Sequence, residues 1–293
     1  MSTGALAVTA NQYFRHESWT NRLNVSFLPY DGYWGPGVNT IDYLRKVLGD
    51  SSSGVDTPAA VIVEVVQAEG GVNVAGKRWL QELAAVCSEY KVLLIVDDIQ
   101  VGCGRTGTFF SFESAGIKPD MVVLSKSISG YGLPMALLLL RPELDQWKPG
   151  EHAGTFRGNN LAFVAATEAL RYWETPVLSE GIMSRGKLLE RRLLEIAAAI
   201  PEIGAKVRGT GMIFGLEFAD PAQCSAAARE AFARGLVIET CGSGQNVLKF
   251  LHPLTIEEAT LEAGLSIVQK AIQATLASPD TEQTRRTGWN EPV

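Results

Sequence analysis

Several absences narrow the class of protein before any motif is considered. The 293-residue chain has only 26 Lys and Arg against 32 Asp and Glu, which gives a net charge of −6. A chain without a basic surplus cannot neutralise a run of phosphates, so nucleic acid is not expected as a partner. Hydrophobic residues make up 46% of the chain, a share that disfavours intrinsic disorder and favours a large buried core.

Long apolar runs are also missing. The longest, Val92–Val96 and Leu133–Leu140, fall far short of the ~20 residues that a membrane helix needs. The first residues, MSTGALAVTANQYFRHE, show no basic stretch followed by an apolar one, so they do not match a secretory signal. We therefore expect a cytoplasmic protein without a membrane partner.

Cysteine is scarce and scattered. Cys87, Cys103, Cys224 and Cys241 lie far apart in the chain and form no CxxC pair. This spacing does not favour a zinc site or a disulfide framework, and reduced thiols in the cytoplasm are the simpler interpretation. No metal site is predicted.

From residue 59 onward, short apolar runs alternate with helical patterns. Continuous β-branched runs separated by helices predict parallel strands that are covered on both faces. Ligands of open α/β sheets bind outside the carboxyl ends of the strands, so polar residues at those ends become candidates for a site. The predicted elements are strands at 59–64, 91–96, 121–124 and 134–140, and a helix at 77–90.

Beyond Gly158 the pattern becomes that of a compact α+β module. We place a boundary near residue 180, which gives a large domain at 1–180, a small domain at 181–277 and a flexible polar tail at 278–293. The predicted elements are helices at 160–173, 179–200, 222–234 and 256–276, a strand pair within 207–218, and strands at 236–239 and 247–250.

One segment matches the letters of a dinucleotide-binding motif but lacks the structural context that the motif needs. The segment Gly102–Gly107 reads GCGRTG and fits the letters GxGxxG. A dinucleotide site needs these glycines to lead from a strand directly into a helix. Here the preceding strand ends at Val96 and the following TFFSFE does not start a helix, so a glycine-rich turn is predicted.

A stronger signal is an acid and a lysine at the ends of neighbouring strands. Asp97 follows one apolar run, and Lys126 follows the next, 29 residues later. That spacing allows one crossover with a helix, which would set both side chains at one edge of the sheet. A lysine that loses its proton can bind the aldehyde of pyridoxal phosphate, and a carboxylate can hold the ring nitrogen protonated. A strand-end ion pair without a catalytic role is the alternative, and spacing alone does not decide between them.

Four segments in order resemble the class III pyridoxal-phosphate aminotransferases. They are VEVVQAEGG around Glu64, LIVDDIQVG around Asp97, LSKS around Lys126 and GTFRGN around Thr155. The resemblance continues through the VRGTG and LKFLHPLT segments and covers nearly the whole chain up to the tail. It implies an α/β protein of fold type I, with a mostly parallel central sheet, helices on both faces and a smaller C-terminal α+β domain.

The resemblance also implies roles for the matching residues. Lys126 would bind pyridoxal 5'-phosphate covalently and later move the proton between substrate and cofactor. Asp97 would pair with the pyridinium nitrogen, and Gln100 would lie near the 3′-oxygen of the ring. Thr155 would donate to the cofactor phosphate from the neighbouring subunit, which implies a homodimer or higher homo-oligomer.

On the substrate side the resemblance implies three further residues. Glu64 matches the family glutamate that pairs with an arginine while an amine donor is bound and releases it for 2-oxoglutarate. The position of that arginine is Lys249 here, and a lysine cannot make the planar two-point clamp on a carboxylate. Glu69 either lines the site or anchors the Glu-Gly-Gly turn.

The PYDGY, SKSISGYGLP and WKPGEHAGTFRGNN segments are similar to family members that act on 2,4-diaminobutyrate. This implies that L-2,4-diaminobutyrate and 2-oxoglutarate give L-aspartate 4-semialdehyde and L-glutamate by a ping-pong route, with the reverse direction feeding ectoine synthesis. Another class III activity on an ω-amino acid or an ornithine-like donor remains an alternative.

Two parts of the family pattern have no match. The family holds the cofactor phosphate on a Gly/Ser/Thr-rich turn at a helix N-terminus and stacks an aromatic side chain on the ring. Residues 1–53 contain neither, and the serine-rich stretch at 50–54 leads into a strand. We therefore expect the N-terminal part of the large domain to be absent, which leaves a cofactor-poor, non-catalytic remnant as the other alternative.

Overall fold

The computed structural model describes residues 3–11 and 24–277. The helices are α1 (Thr3–Val8), α2 (Thr40–Gly49), α3 (Lys77–Glu89), α4 (Asn160–Leu170), α5 (Val177–Ala199), α6 (Pro221–Ala233) and α7 (Glu258–Ala277). The strands are β1 (Ala60–Val63), β2 (Val66–Gln67), β3 (Asn73–Val74), β4 (Leu93–Asp97), β5 (Met121–Ser125), β6 (Ala136–Leu140), β7 (Lys206–Thr210), β8 (Ile213–Glu217), β9 (Glu239–Cys241) and β10 (Val247–Phe250). The tail predicted at 278–293 lies outside the described residues.

The central sheet has the strand order β1-β4-β5-β6. The first three strands are parallel, which confirms the predicted α/β sheet. The prediction that 134–140 adds another parallel strand is wrong, because β6 runs antiparallel to β5 and pairs Ser125 with Ala136. The connection between these two residues is too short for a parallel crossover, which takes a dozen residues or more.

The connection from β4 to β5 also differs from the prediction. It contains a 3-10 turn at Glu113–Ala115 and no α-helix, so the two strands are not joined by the expected helical crossover. The Gly102–Gly107 segment lies in this connection as a series of turns, as predicted, and does not enter a helix. The strands nevertheless become parallel neighbours because the connection is long enough to return to the same edge.

The small sheet has the order β7-β8-β10-β9, and its neighbouring strands are antiparallel. The predicted strand pair within 207–218 and the strand at 247–250 are confirmed. The strand predicted at 236–239 instead begins at Glu239, and residues 236–238 form an irregular segment after the turn that ends α6. The helices α5, α6 and α7 cover this sheet.

Two buried clusters of apolar side chains form the core. One surrounds the central sheet and α3, and the other lies between the small sheet and α5, α6 and α7. Ile213, Cys241 and Val247 belong to the small sheet but pack into the first cluster, so the small sheet is seated directly on the large core. The domain boundary near residue 180 stays a prediction.

Helix α3 shows how the sequence pattern produces this packing. Its buried side chains recur at helical spacing along one stripe, and burying each stabilises the fold by about 1.5–3 kcal/mol. Trp79 also donates its indole N–H to Thr40 Oγ1 over 2.7 Å, which fastens α3 to α2. The buried stripe consists of Trp79, Leu80, Leu83, Val86 and Cys87.

Over residues 3–11 and 24–277, we find no helix with both the length and the apolar character needed to cross a membrane. Within the same ranges, no group of three or more His, Cys, Asp or Glu side chains is placed to hold a metal ion. All four cysteines are buried and unpaired.

Candidate active site

The carboxyl ends of the three parallel strands bring the predicted residues to one edge of the central sheet. Glu64 directly follows β1, Asp97 is the last residue of β4, and Lys126 directly follows β5. The register pairs Val63 with Val96 and Asp97 with Val123, so the three strands end at nearly the same level. The apolar strands therefore present the carboxylates of Glu64 and Asp97 and the amine of Lys126 in a row along this edge.

Lys126 is the only lysine at the carboxyl ends of these parallel strands. It has a positive φ of 50°, and its carbonyl accepts a hydrogen bond of 3.2 Å from Ser129 Oγ, which fixes the turn after β5. The side chain is exposed on one side, and its Nζ makes no hydrogen bond or ion pair with the residues that the structure describes. Partial desolvation lowers the pKa of its ammonium, although Glu69, Asp97 and Glu64 act in the opposite direction. The geometry is that of an accessible amine with an increased neutral fraction.

Asp97 and Asp98 are neighbours in sequence with different surroundings. Asp97 is half-buried, and its Oδ1 accepts the backbone N–H of Ile99 over 3.0 Å, whereas Oδ2 has no partner among the described residues. Asp98 is fully buried and accepts bonds from both the N–H and the hydroxyl of Ser111. Burial raises the pKa of Asp98 to about 6. Asp98 therefore holds the β4–β5 connection in place, and Asp97 keeps an oxygen free for a ligand.

Glu64 occupies an apolar setting beside Asp97. Burial, reinforced by the charge of Asp97, raises the pKa of the Glu64 carboxyl to about 7. The phenol of Tyr30 donates to the carbonyl oxygens of Glu64 and Val65 over 2.9 Å each, which fixes the backbone at the end of β1. Glu64 therefore holds its proton to a higher pH than an exposed glutamate does.

Lys249 binds the carboxylate of Glu69, the other glutamate predicted on the substrate side. Its side chain is only 2% exposed, and its Nζ donates to Glu69 Oε1 over 2.5 Å. In this structure Glu69, and not Glu64, is the carboxylate that contacts residue 249, and the pairing of Glu64 with residue 249 stays a prediction. Gln100 joins the pair by donating to Glu69 over 3.0 Å and accepting from Lys249 over 3.4 Å. Burial opposes ionisation of Glu69, but its bonds to Lys249 and Gln100 prevail and lower its pKa.

A residue that the sequence did not suggest completes this group. Glu239, at the start of β9, stands opposite Lys249 in the antiparallel register, and its Oε2 lies 3.2 Å from Lys249 Nζ. Its pairing with residue 249 depends on the strand register and has no local sequence signal. We refer to Glu69, Gln100, Glu239 and Lys249 as the Lys249 cluster.

Two hydrogen bonds join the small sheet to the loop between β2 and β3 that carries Glu69. The N–H of Gly242, in the turn after β9, donates to the carbonyl of Glu69 over 3.0 Å. Arg208, on β7, donates from Nε to the carbonyl of Gly71 over 2.7 Å. The small sheet thus holds the loop that carries Glu69, and both sheets contribute to one site.

Thr155 lies apart from these residues. It sits in an exposed loop, and the contacts known for the described residues do not join it to Lys126 or to the Lys249 cluster. Within the loop, Arg157 bonds to His152 Nε2 over 2.7 Å, and the His152 ring stacks on Trp147 with centroids 4.7 Å apart. The site within one chain therefore includes the other predicted site residues but not Thr155.

Comparison with known proteins identifies the class of protein. Residues 2–272 match the family model for aminotransferase class-III, and the chain belongs to that family. Its members use pyridoxal phosphate. The chain spans just under two thirds of the length of the curated relatives described next.

The relatives carry a more specific name. The chain is 56% identical over 272 residues to a diaminobutyrate–2-oxoglutarate transaminase of Wolinella succinogenes, covering 93% of this chain and 64% of the relative. It is 53% identical over 279 residues to a protein of the same name from Bordetella parapertussis, covering 94% and 64% respectively.

Solved structures share the fold. An aminotransferase of Bacillus anthracis superposes with a TM-score of 0.82 at 24% identity, over 93% of this chain and 66% of the other. The N-acetylornithine aminotransferase of Stenotrophomonas maltophilia superposes with a TM-score of 0.71 at 29% identity, over 82% of this chain and 62% of the other. The predicted fold class is confirmed.

The residues present fit the reactive part of this cofactor. Lys126 offers an accessible, partly desolvated amine for the aldehyde, and Asp97 offers a carboxylate oxygen without a described partner for the ring nitrogen. These are the two groups that the chemistry of pyridoxal phosphate requires from a protein.

Proposed function

We propose that this chain carries the reaction centre of a pyridoxal-phosphate aminotransferase acting on L-2,4-diaminobutyrate and 2-oxoglutarate. The products are L-aspartate 4-semialdehyde and L-glutamate, and the reverse direction would supply diaminobutyrate for ectoine synthesis. The observation that carries the proposal is the free amine of Lys126 at one strand end beside the half-buried Asp97 at the next. The names of the relatives support the choice of substrates.

In this proposal Lys126 has two tasks. Its neutral amine would hold the cofactor through the aldehyde group, and Nζ would carry the proton to and from the reacting carbon of the substrate. When bound, pyridoxal phosphate supplies the ring that takes up the electrons left on that carbon. Asp97 holds the proton at the ring nitrogen, which requires the carboxylate form.

The Lys249 cluster would accommodate the substrate carboxylates. Lys249 is buried, whereas Glu69 is 52% exposed, so the Glu69 carboxylate has room to turn into solvent once its bond to Lys249 is replaced. A carboxylate of 2-oxoglutarate would then replace that of Glu69 on the ammonium of Lys249. Because a lysine binds as a point charge, this exchange does not need the two-point clamp of an arginine.

We also propose that the site is completed in a homodimer or higher homo-oligomer. Thr155 is exposed, and the adjacent Phe156 is 98% exposed, which is typical of an aromatic side chain that packs against a partner. A second copy would bring its Thr155 to the cofactor phosphate. We expect such an oligomer to be cytoplasmic, with amino acids and 2-oxo acids as its small-molecule partners.

The experiment is titration of the purified chain with pyridoxal phosphate, followed by the absorbance of the lysine-bound cofactor. We expect a band that disappears in Lys126→Ala and persists in Lys118→Ala, an exposed lysine before β5. Amino transfer from diaminobutyrate to 2-oxoglutarate is then measured in the same preparations. Binding without transfer would favour the non-catalytic alternative, and equal rates with 4-aminobutyrate or ornithine would favour another ω-aminotransferase.

A further inference from the structure

The Lys249 cluster contains more negative than positive charge. A single ammonium, that of Lys249, faces two carboxylates, with Glu69 at 2.5 Å and Glu239 at 3.2 Å. The bond to Glu69 already neutralises the ammonium, and Gln100 gives it a further polar contact. Glu239 is therefore not needed to compensate the buried charge.

Glu239 is also the less restrained of the two carboxylates. Glu69 is bonded to Gln100 as well as to Lys249 and has its backbone fastened to Gly242. Glu239 has only its contact with Lys249, and its side chain is 71% exposed. Solvent screens the exposed carboxylate of Glu239, so this contact adds less to the stabilisation of the buried ammonium than the bond to Glu69 does.

The register of the two strands makes Glu239 and Lys249 direct cross-strand neighbours, with both side chains on the same face of the small sheet. A molecule that reaches Lys249 therefore meets a cation and an anion side by side. That pattern is complementary to a zwitterionic amino-acid end, in which a carboxylate and an ammonium share one carbon.

We infer that Glu239 is a specificity-determining residue that binds the non-reacting α-ammonium of a diamino-acid donor while Lys249 binds its α-carboxylate. This inference rests on the proposed function, because it requires the other amine of the donor to point towards Lys126. The α-ammonium then gives Glu239 a cationic partner while the α-carboxylate of the donor binds Lys249. A donor without that ammonium gains only the contact with Lys249.

Two amine donors that differ in one group test the contact between Glu239 and the α-ammonium. L-2,4-Diaminobutyrate and 4-aminobutyrate share the carbon chain, the reacting amine and the carboxylate, and they differ only in the α-amine. In Glu239→Gln we expect the KM for diaminobutyrate to rise about tenfold, the loss of one partly exposed charge-assisted hydrogen bond. We expect kcat to stay within about twofold, because the contact is equal before and during the reaction. The values for 4-aminobutyrate should not change.

Matched variants separate this effect from a structural one. Glu202→Gln removes an exposed carboxylate of the small domain outside the cluster and should alter neither donor. Glu239→Asp keeps the charge on a shorter side chain and should restore part of the preference. Equal weakening of both donors in Glu239→Gln, or no weakening of diaminobutyrate, would overturn the inference.

Calorimetric titration of the same chains with each donor, in the presence of pyridoxal phosphate, gives a second readout that does not depend on turnover. We expect the Kd for diaminobutyrate alone to rise in Glu239→Gln. If no donor is turned over but this selective loss of binding remains, the proposed function fails and the assignment of Glu239 stands. If binding does not distinguish the donors in the unsubstituted chain, the assignment of Glu239 is refuted.

Discussion

The raised pKa of Glu64 leads to a prediction about stability as a function of pH. Burial raises this pKa from 4.5 to about 7. At about 1.4 kcal/mol for each tenfold change in an equilibrium constant, the ionised carboxylate costs the folded state about 3 kcal/mol. Coupling to Asp97 and relaxation of the surrounding residues reduce this upper value, so we expect between about 1 and 3 kcal/mol.

The stability of the folded chain falls as the pH rises, because the folded chain holds the proton of Glu64 more tightly than the unfolded chain does. As the pH rises from 4.5 to 7, the unfolded chain releases this proton while the folded chain retains it. The folded state therefore loses stability across that window, and the full penalty is present above it. Glu64→Gln removes the charge but keeps an oxygen that can accept the N–H of Ala68, so the variant should be more stable than the parent at pH 8 and equal to it near pH 4.5.

The assay is urea unfolding of the cofactor-free chain at both pH values, with Glu202→Gln as an exposed control that should show no such dependence. A stability difference between Glu64→Gln and the parent that is the same at pH 4.5 and pH 8 would refute the assigned environment of Glu64. A parent that gains stability relative to the variant as the pH rises would refute the sign.

Two further predictions concern the backbone beside the site and the exposed loop. Tyr30→Phe removes the hydroxyl that donates to the carbonyls of Glu64 and Val65. We expect it to lower the free energy of unfolding, measured in urea, by about 1–2 kcal/mol. The control Tyr131→Phe, at an exposed position, should leave the free energy of unfolding unchanged. Equal effects would contradict the assigned bonds. Phe156→Asp should raise the dissociation constant of the oligomer at least about tenfold in sedimentation experiments, and an unchanged mass distribution would argue against this loop as the contact.

The parts of the site that lie on the central sheet could be predicted from the sequence. Asp97 and Lys126 each follow a continuous apolar run, and such runs form buried parallel strands whose ends coincide. The direction of β6 was missed because the apolar run at 134–140 carries no signal of orientation, and only the length of the connection from Ser125 shows it. The local pattern thus locates strand ends better than strand directions.

The Lys249 cluster could not be predicted in the same way. Glu64 and Glu69 lie in one motif, and the sequence does not show which of them faces a residue almost two hundred positions later. In the structure, the bond from the N–H of Gly242 to the carbonyl of Glu69 ties the loop that carries Glu69 to the small sheet. Glu239 was missed because its position opposite Lys249 is a property of strand register, which side-chain composition does not reveal.

The hairpin of β9 and β10 lies in a different sheet from the strand that precedes Lys126, although its Cys241 and Val247 pack into the core around the central sheet. The reacting amine and the residues proposed to select the donor are therefore carried by different sheets. Substitutions within 239–250 that keep Cys241 and Val247 can change the accepted amine without disturbing the strands that hold Asp97 and Lys126. Exchange of this hairpin between relatives with different donors offers a route to new substrates that leaves the chemistry in place.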